Sequence, residues 1–381
     1  MDDDYLTVTM LSAGLAGILH RRRHAAEGGR NDDGLLPASW RAGFTRLWWR
    51  FQAQNVAPLE SDLELLALCA HPLSAWPVGL LLSDQDLENC LLVAGELSGF
   101  AEQGARLARP DVEAEWMENR VHLALRAAAS ANGGDDDVLV QTAYAALRRL
   151  MIDHPVLTDR DLIPWERKFD RADNSGQTYV RRLVEIAYVA RPVHGPQNYL
   201  RCPACKNTVP DLVSSCGTPG CGGGAPEHMI ARPLAVIYEQ HRATRRFVHD
   251  PGLVEARIID ALCEESLQGV VRVTPYPGAD VLDILIEFLG SDVHGQPAVL
   301  ETWGVDAKDQ VSARLLGRGF VWPATMRCDQ QFLALPKHRA DQPGYVEDLE
   351  TELDGRVRGV TVIDEHRLVR RVKATARRIC Q

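Results

Sequence analysis

The sequence predicts a multidomain protein with a mainly α-helical N-terminal domain, a small cysteine-rich module and a C-terminal α/β domain built on a mixed sheet. Three observations support this prediction. Apolar residues recur at three- and four-residue steps up to about residue 195, four cysteines cluster between residues 202 and 221, and helix-like and strand-like patterns alternate after residue 250. We therefore predict domains at residues 1–195, 196–249 and 250–381.

The composition is that of an ordinary globular protein. The chain has 381 residues, of which 45% are hydrophobic and 25% charged, and this excludes the disordered and fibrous classes. The longest apolar runs fall well short of the roughly 20 residues that cross a bilayer. Three aspartates follow the initial methionine, where a secretory signal would carry positive charge. We expect a cytoplasmic protein without a membrane segment.

The charge is acidic overall but unevenly distributed. The formal net charge is −10, and residues 1–200 carry 20 basic and 28 acidic side chains, whereas residues 355–381 carry eight basic and two acidic ones. These values exclude a generally basic surface for nucleic acid. A local patch near the C-terminus can still meet phosphates, and a solvated charged tail is the alternative interpretation.

The N-terminal region shows helical spacing of apolar residues in four segments, which read LELLALCA, ENCLLVAGEL, VHLALRAAAS and TAYAALRRLM. No residue in this region is predicted to take part in chemistry. We interpret it as an interaction domain.

The cysteine cluster has the spacing of a metal site. Its members are separated by two, ten and four residues, and they are Cys202, Cys205, Cys216 and Cys221. Four thiolates on two tight turns suit a tetrahedral zinc ion with a structural role. The spacing and the glycine-rich loops resemble a zinc ribbon, a module that binds nucleic acid, binds protein or stabilises a small domain. Arginines at positions 242, 245 and 246 favour nucleic acid among these roles.

The C-terminal region is predicted to form a helix, three strands, and then helix, strand, helix and strand in alternation. The first helix is PGLVEARIIDALCEES, and the three strands are VVRVTPYP, ADVLDILIEF and PAVLETWGVDAK. The remaining elements are SARLLGRGF, QQFLALP, YVEDLETELDG and VRGVTVID.

Lys308 stands out because the chain has only five lysines against 37 arginines. It lies two residues after Asp306, on the same face of a predicted strand. Asp283 lies within the apolar run of the preceding strand, where a charge without a partner is costly. If the two strands pair, both aspartates converge on one divalent cation beside Lys308, and Glu255 reaches it from the preceding helix.

Two alternatives accompany this interpretation. Asp306 and Lys308 can form a plain ion pair, since acid-x-lysine triplets are common and Glu166 and Lys168 form a second one. Asp280 is a rival for the first acid, although strand alternation would place it on the opposite face from Asp283.

This constellation resembles the PD-(D/E)xK nuclease superfamily, which has the restriction-endonuclease-like fold, over about residues 250–381. The resemblance implies that Asp283 and Asp306 are Mg²⁺ or Mn²⁺ ligands and that Lys308 orients the attacking water. Two features depart from the pattern. The acid of the triplet is aspartate, and the literal Pro-Asp pair is absent because Leu282 precedes Asp283.

The overall arrangement of helical region, zinc ribbon and nuclease core is similar to a narrower group. These are the endonuclease-like proteins encoded beside PIWI-related proteins and a helicase in bacterial three-gene conflict islands. The resemblance implies a defence role against plasmid or phage nucleic acid, with the PIWI-related protein and the helicase as partners.

The expected function is therefore that of a metal-dependent endonuclease that cuts DNA or an RNA–DNA hybrid. The alternative is a catalytically inactive protein that binds nucleic acid or bridges the proteins of a defence complex. A zinc protein of transcriptional or helicase-associated type, with a purely structural acidic cluster, is a third reading.

Overall fold

The computed structural model describes residues 4–26, 36–108, 112–192, 197–209, 216–231, 236–264, 267–291, 294 and 296–379. The helices are α1 Asp4–Ala26, α2 Ala38–Ala53, α3 Asp62–Leu68, α4 Asp84–Leu87, α5 Gly99–Ala108, α6 Val112–Gly133, α7 Asp137–Asp153, α8 Asp159–Lys168, α9 Tyr179–Ala187, α10 Arg242–Thr244, α11 Asp250–Leu262, α12 Pro277–Asp280, α13 Ala313–Gly319, α14 Lys337–Ala340, α15 Tyr345–Leu353 and α16 Glu365–Ile379. Short 3₁₀ and π-helical segments occupy Leu73–Ala75 and Arg245–His249.

The strands are β1 Leu92–Val93, β2 Glu96–Leu97, β3 Val156–Thr158, β4 Tyr188–Pro192, β5 Gln197–Arg201, β6 Thr208–Val209, β7 Glu227–Ala231, β8 Val236–Gln240, β9 Val271–Pro275, β10 Ile284–Ser291, β11 Pro297–Ala307, β12 Gln330–Leu335 and β13 Val360–Asp364. Among the helices that the structure describes, none combines the length and the apolar character needed to cross a membrane.

The chain folds into two compact units. The first contains residues 1–115, 310–321 and 343–356, and the second contains residues 116–309, 322–342 and 357–381. The predicted boundary at residue 195 lies outside the described residues, and the one at residue 249 remains a prediction. The predicted layout of a helical N-terminal half, a cysteine cluster and a C-terminal mixed sheet is confirmed.

The first unit is helical. Helices α1 and α2 pack closely at Gly14, because an added Cβ there would lie 2.5 Å from the Cα of Trp40. The Trp40 ring is fully buried and its Nε1 donates to Asp62 Oδ1 over 2.6 Å. Burial of such a side chain stabilises the fold by about 1.5–3 kcal/mol. The loop ahead of α13 belongs to this unit, since the Ser312 hydroxyl donates to Asp86 Oδ2 over 2.9 Å.

The second unit is organised around a five-stranded sheet with the order β13-β12-β11-β10-β9. Strands β9, β10 and β11 are antiparallel neighbours, and β11, β12 and β13 are parallel. Buried residues alternate along β10 at Ile284, Ile286 and Phe288, which is the period-two pattern of a strand with one face in the core. The predicted elements of this region occur in the predicted order, and the short α12 and α14 were not predicted.

One hydrophobic core joins this sheet to helices from both halves of the sequence. Its buried members include Leu147 and Met151 of α7, Ile258 of α11 and Val372 of α16. The closing helix α16 follows the last predicted strand directly and was not predicted. Apolar residues at Leu368, Val372 and Ala376, four apart, were its signal in the sequence.

Candidate active site

Two neighbouring strands bring the predicted acids together at one end of the sheet. Asp306 is the penultimate residue of β11, Lys308 follows that strand, and Asp283 immediately precedes β10. Because Ile284 lies opposite Val305, Asp283 meets the end of β11. The backbone N–H of Ala307 donates to Asp283 Oδ2 over 2.6 Å. Both carboxyls are buried, with exposed fractions of 8% for Asp283 and 7% for Asp306.

Lys308 contacts both acids. Its Nζ lies 3.5 Å from Asp283 Oδ2 and donates a hydrogen bond to Asp306 Oδ1. The backbone N–H of Lys308 donates to the carbonyl of Ala334 in β12 over 2.9 Å, which fixes the start of its side chain at the edge of the sheet. The acid-x-lysine triplet is thus directly joined to Asp283.

The structure corrects two details of the sequence interpretation. Asp283 lies just ahead of its strand rather than in the middle of it. Asp280 lies in the turn before β10, where its φ of 81° is left-handed, so the alternation of strand side chains does not apply to it. Asp280 instead has a partner of its own, because Arg148 Nη1 donates to its Oδ2 over 2.7 Å.

Glu255 joins the group from α11. Its side chain is buried, with 2% exposure, and it accepts hydrogen bonds from Arg148 Nη2 at 3.3 and 3.4 Å. Arg148 therefore bridges Glu255 and Asp280 from α7. The sequence interpretation assigned no chemistry to this helix, yet Arg148 shares a helical face with Tyr144, Leu147 and Met151, all of which are buried. A charged residue on an apolar face was the signal that could have identified it.

The ionisation of the acids is perturbed by this environment. Burial raises the pKa of Asp306 to about 7, and Asp283 adds to this effect while Lys308 opposes it. Burial also disfavours the Asp283 carboxylate, but Lys308 and the hydrogen bonds from Asp306 and Ala307 bring its pKa below the ordinary value. Burial raises the pKa of Glu255 to about 7 against the attraction of Arg148. Such clustered shifts are typical of functional sites.

The donor set fits a divalent cation. Carboxylate oxygens are the ligands that Mg²⁺ and Mn²⁺ prefer. With all groups ionised, the four carboxylates of Glu255, Asp280, Asp283 and Asp306 and the two cations of Arg148 and Lys308 sum to −2. The ligand atoms of the acids lie farther apart than those of the cysteines. Within the described residues, the four cysteines are the only group of His, Cys, Asp or Glu side chains in which three or more ligand atoms lie within 4.8 Å of one another.

The four cysteines form a compact cluster. The Sγ atoms of Cys202 and Cys221 are 3.6 Å apart, close to the roughly 3.8 Å between two thiolates that each lie about 2.3 Å from one tetrahedral zinc ion. Cys202, Cys205 and Cys216 are buried, Cys221 is half-buried, and all four are free thiols. The cluster can therefore hold a metal ion, and its chemistry fits zinc.

Polar side chains around the cluster connect it to the helix that carries Glu255. The Asn207 amide donates to Thr218 Oγ1 over 2.8 Å, and Thr218 contacts the sulfur of Cys205 at 3.3 Å. The same amide lies 3.5 Å from Asp250 Oδ1, at the first residue of α11. Support of this kind around the ligands orients them.

Comparison with known proteins gives a family match in this region. Residues 252–379, about a third of the chain, match the family described as "REase associating with pPIWI_RE". The matched segment extends from α11 to α16 and contains Glu255, Asp283, Asp306 and Lys308. No curated protein and no solved structure matches the chain. The predicted resemblance is thus confirmed: over residues 252–379 this chain matches the family of restriction endonucleases that associate with pPIWI_RE.

Proposed function

We propose that the protein is a Mg²⁺-dependent endonuclease that hydrolyses DNA, as part of a bacterial defence system against plasmid or phage nucleic acid. The observation that carries this proposal is the contact of the half-buried Lys308 with the buried carboxyls of Asp283 and Asp306 at the end of the sheet. The family match supports a restriction-endonuclease-like core and a pPIWI partner. We extend the proposal to a helicase as a further partner and to an RNA–DNA hybrid as an alternative substrate.

In this proposal Asp283 and Asp306 hold the ion, and Glu255 assists from α11. A bound Mg²⁺ or Mn²⁺ would activate water and neutralise the charge that grows on the scissile phosphate. Lys308 Nζ, a compact ammonium with three donors, would donate hydrogen bonds to the attacking water or to a phosphate oxygen. Ala307 keeps Asp283 oriented through its backbone N–H. A structural zinc ion in the cysteine cluster completes the proposed metal content.

Helix α16 offers a surface for the nucleic acid. It carries six basic residues and one acidic residue, although the chain as a whole has a net charge of −10. Its apolar face is already buried at Leu368 and Val372. Its exposed arginines face solvent, although three of them also contact Asp364, Gln330 or Glu301, and guanidinium groups pair well with phosphates. These arginines are Arg367, Arg370, Arg371, Arg377 and Arg378.

The helix begins at the active-site edge of the sheet. Strands β11, β12 and β13 are parallel, so their ends at Ala307, Leu335 and Asp364 lie at the same edge, and α16 starts at the next residue, Glu365. Its far end approaches the first half of β11, where Arg378 Nη2 lies 3.8 Å from Glu301 Oε2. A duplex that reaches the acids at this edge thus meets arginines along one side of the sheet.

A catalytically inactive adaptor is the second candidate. The observation that favours it is that, within the described residues, the acids do not bring three ligand atoms within 4.8 Å of one another, so their charges are satisfied by ion pairs without a metal. Such an adaptor would hold nucleic acid or bridge the proteins of a defence complex.

The experiment that separates the two candidates is a cleavage assay on plasmid, linear and single-stranded DNA and on an RNA–DNA hybrid, with Mg²⁺ or Mn²⁺. The Lys308→Ala and Asp306→Ala variants are compared with Lys168→Ala, which alters the second acid-x-lysine triplet. The nuclease is established if the wild type and Lys168→Ala show metal-dependent cutting and Lys308→Ala and Asp306→Ala do not. Failure of the wild type to cut, even with a pPIWI partner and a helicase present, supports the adaptor.

A further inference from the structure

Helix α7 packs against the acid cluster from outside the segment that matches the nuclease family. The match begins at residue 252, whereas α7 comprises Asp137–Asp153. Three of its residues, Gln141, Tyr144 and Arg148, are spaced by three and four positions and share one face of the helix. That face contacts the turn between β9 and β10, which leads directly to Asp283.

This turn includes the short segment α12, and its backbone departs from helical geometry. Tyr276, Ala279 and Asp280 have positive φ values of 52°, 56° and 81°, in the left-handed region that side chains other than glycine rarely adopt. Each such residue is strained, and the surrounding structure must compensate. The N–H of Tyr276 donates to the carbonyl of Asp283 over 2.7 Å, so the shape of the turn fixes the backbone of the proposed metal ligand.

Helix α7 supplies that compensation. The Gln141 amide donates to the carbonyls of Pro275 and Tyr276 over 2.6 and 2.9 Å. The rings of Tyr144 and Tyr276 meet edge to face, with centroids 6.3 Å apart. The Arg148 guanidinium lies over the Tyr276 ring, 4.7 Å from its centroid, and binds Asp280 and Glu255.

We propose that Arg148 is a positioning residue of the nuclease site, which sets the orientation of Glu255 and, through Asp280 and Tyr276, the place of Asp283. The inference rests on the proposed function, since it assigns a role in that same site. Arg148 is 7% exposed and touches neither Asp283 nor Lys308 by a hydrogen bond or ion pair in the described part of the chain. Its contacts therefore reach Asp283 only through these three partners, while its positive charge also favours the Asp283 carboxylate. Helix α7, which lies in the region predicted as the N-terminal domain, is in this proposal an integral part of the nuclease site.

Arg149 provides a matched control on the same helix. It also makes ion pairs with two carboxylates, those of Asp153 and Asp260, at 2.7 and 2.8 Å. Its partners include none of the acids of the site. Arg149→Gln thus removes a comparable number of ion pairs from α7, one of them to α11, without removing a contact of Glu255 or of the turn.

The test compares the wild type with Arg148→Gln, Arg148→Lys, Gln141→Ala and Arg149→Gln, each loaded with zinc. We expect Arg148→Gln to lower kcat about 10- to 100-fold with little change in KM for DNA, and to weaken Mn²⁺ binding measured by titration calorimetry by a similar factor. Arg148→Lys keeps the charge but cannot bind two carboxylates in a fork, so it should restore only part of the loss. Gln141→Ala is the milder change and keeps the test decisive if Arg148→Gln folds poorly.

The outcomes separate this inference from the proposed function. Equal kcat and equal Mn²⁺ affinity for Arg148→Gln and Arg149→Gln overturn the positioning role. The positioning role is also overturned if the loss of activity in Arg148→Gln is explained by its smaller folded fraction while Gln141→Ala and Arg148→Lys keep normal kcat and Mn²⁺ affinity. If the wild type cuts no nucleic acid, the proposed function fails, and the Mn²⁺ titration still decides whether Arg148 organises the acids.

Discussion

The ammonium of Lys308 lies 3.5 Å from Oδ2 of Asp283, a residue 25 positions earlier in the chain. The register of β10 on β11 brings them together, because Ile284 lies opposite Val305. The same oxygen of Asp283 accepts the backbone N–H of Ala307. The acid is thus held by one backbone and one side-chain donor from the strand that carries Asp306, and its position depends on that pairing.

Replacing Lys308 by arginine tests whether a compact ammonium is needed. Lys308→Arg keeps the positive charge but places a larger, planar group beside two buried carboxylates. We expect DNA cleavage to fall by about 100-fold or more, with DNA binding retained, in a plasmid-nicking assay paired with a binding assay. Lys168→Arg is the control and should cut normally. Near-normal cutting by Lys308→Arg would show that only charge matters at this position.

The sequence predicted the candidate site better than it predicted the elements that support it. Asp283 was singled out because a charged residue inside an apolar run needs a partner, and Lys308 because lysine is rare in the chain and follows Asp306 by two positions. The order of the main helices and strands along the chain followed from the residue patterns, but the order of the strands in the sheet did not. Arg148 was missed because its partners are 107 and 132 positions away, and local spacing does not reveal contacts of that range. The left-handed turn was missed because tyrosine, alanine and aspartate at positive φ carry no signal of their own.

The cysteine cluster predicts the effect of metal removal. Cys205→Ser should lose the bound zinc, measured by elemental analysis, and should unfold at a lower temperature, because structural zinc sites contribute folding energy directly. Cys263→Ser is the control, since Cys263 is exposed and lies outside the cluster. Purified wild-type protein without zinc, and with unchanged melting in the presence of a chelator, would contradict a structural ion.

The arginines of α16 predict a specific change in salt dependence. Arg370 and Arg377 are exposed and, within the described residues, have neither a hydrogen-bond nor an ion-pair partner. They lie about 10 Å apart along the helix axis, at about 1.5 Å per residue. The Arg370→Gln, Arg377→Gln double variant should weaken DNA binding and reduce the slope of log affinity against log salt by about 2, as expected for two lost phosphate contacts.

Exposed arginines on α8 supply the control for that measurement. The double variant Arg160→Gln, Arg167→Gln removes the same charge from a different surface. An equal loss of binding in both double variants would indicate a general effect of net charge. An unchanged slope in the α16 variant would exclude this helix from the interface.

Asp86 predicts a pH dependence of stability in the first unit. Its carboxyl is buried, with 2% exposure, and burial raises its pKa above the ordinary value of about 4, although hydrogen bonds from Tyr5 and Ser312 oppose the shift. The folded protein thus holds the proton to a higher pH than the unfolded chain does. The associated stability is complete below about pH 4 and is lost as the pH rises through the raised pKa. Asp86→Asn cannot ionise, so its melting temperature should fall less than that of the wild type between pH 4 and pH 8, measured by differential scanning fluorimetry.

Asp84→Asn, an exposed neighbour on α4, should follow the wild type. Parallel curves for Asp86→Asn and the wild type would mean that the Asp86 carboxyl ionises alike in the folded and unfolded chain.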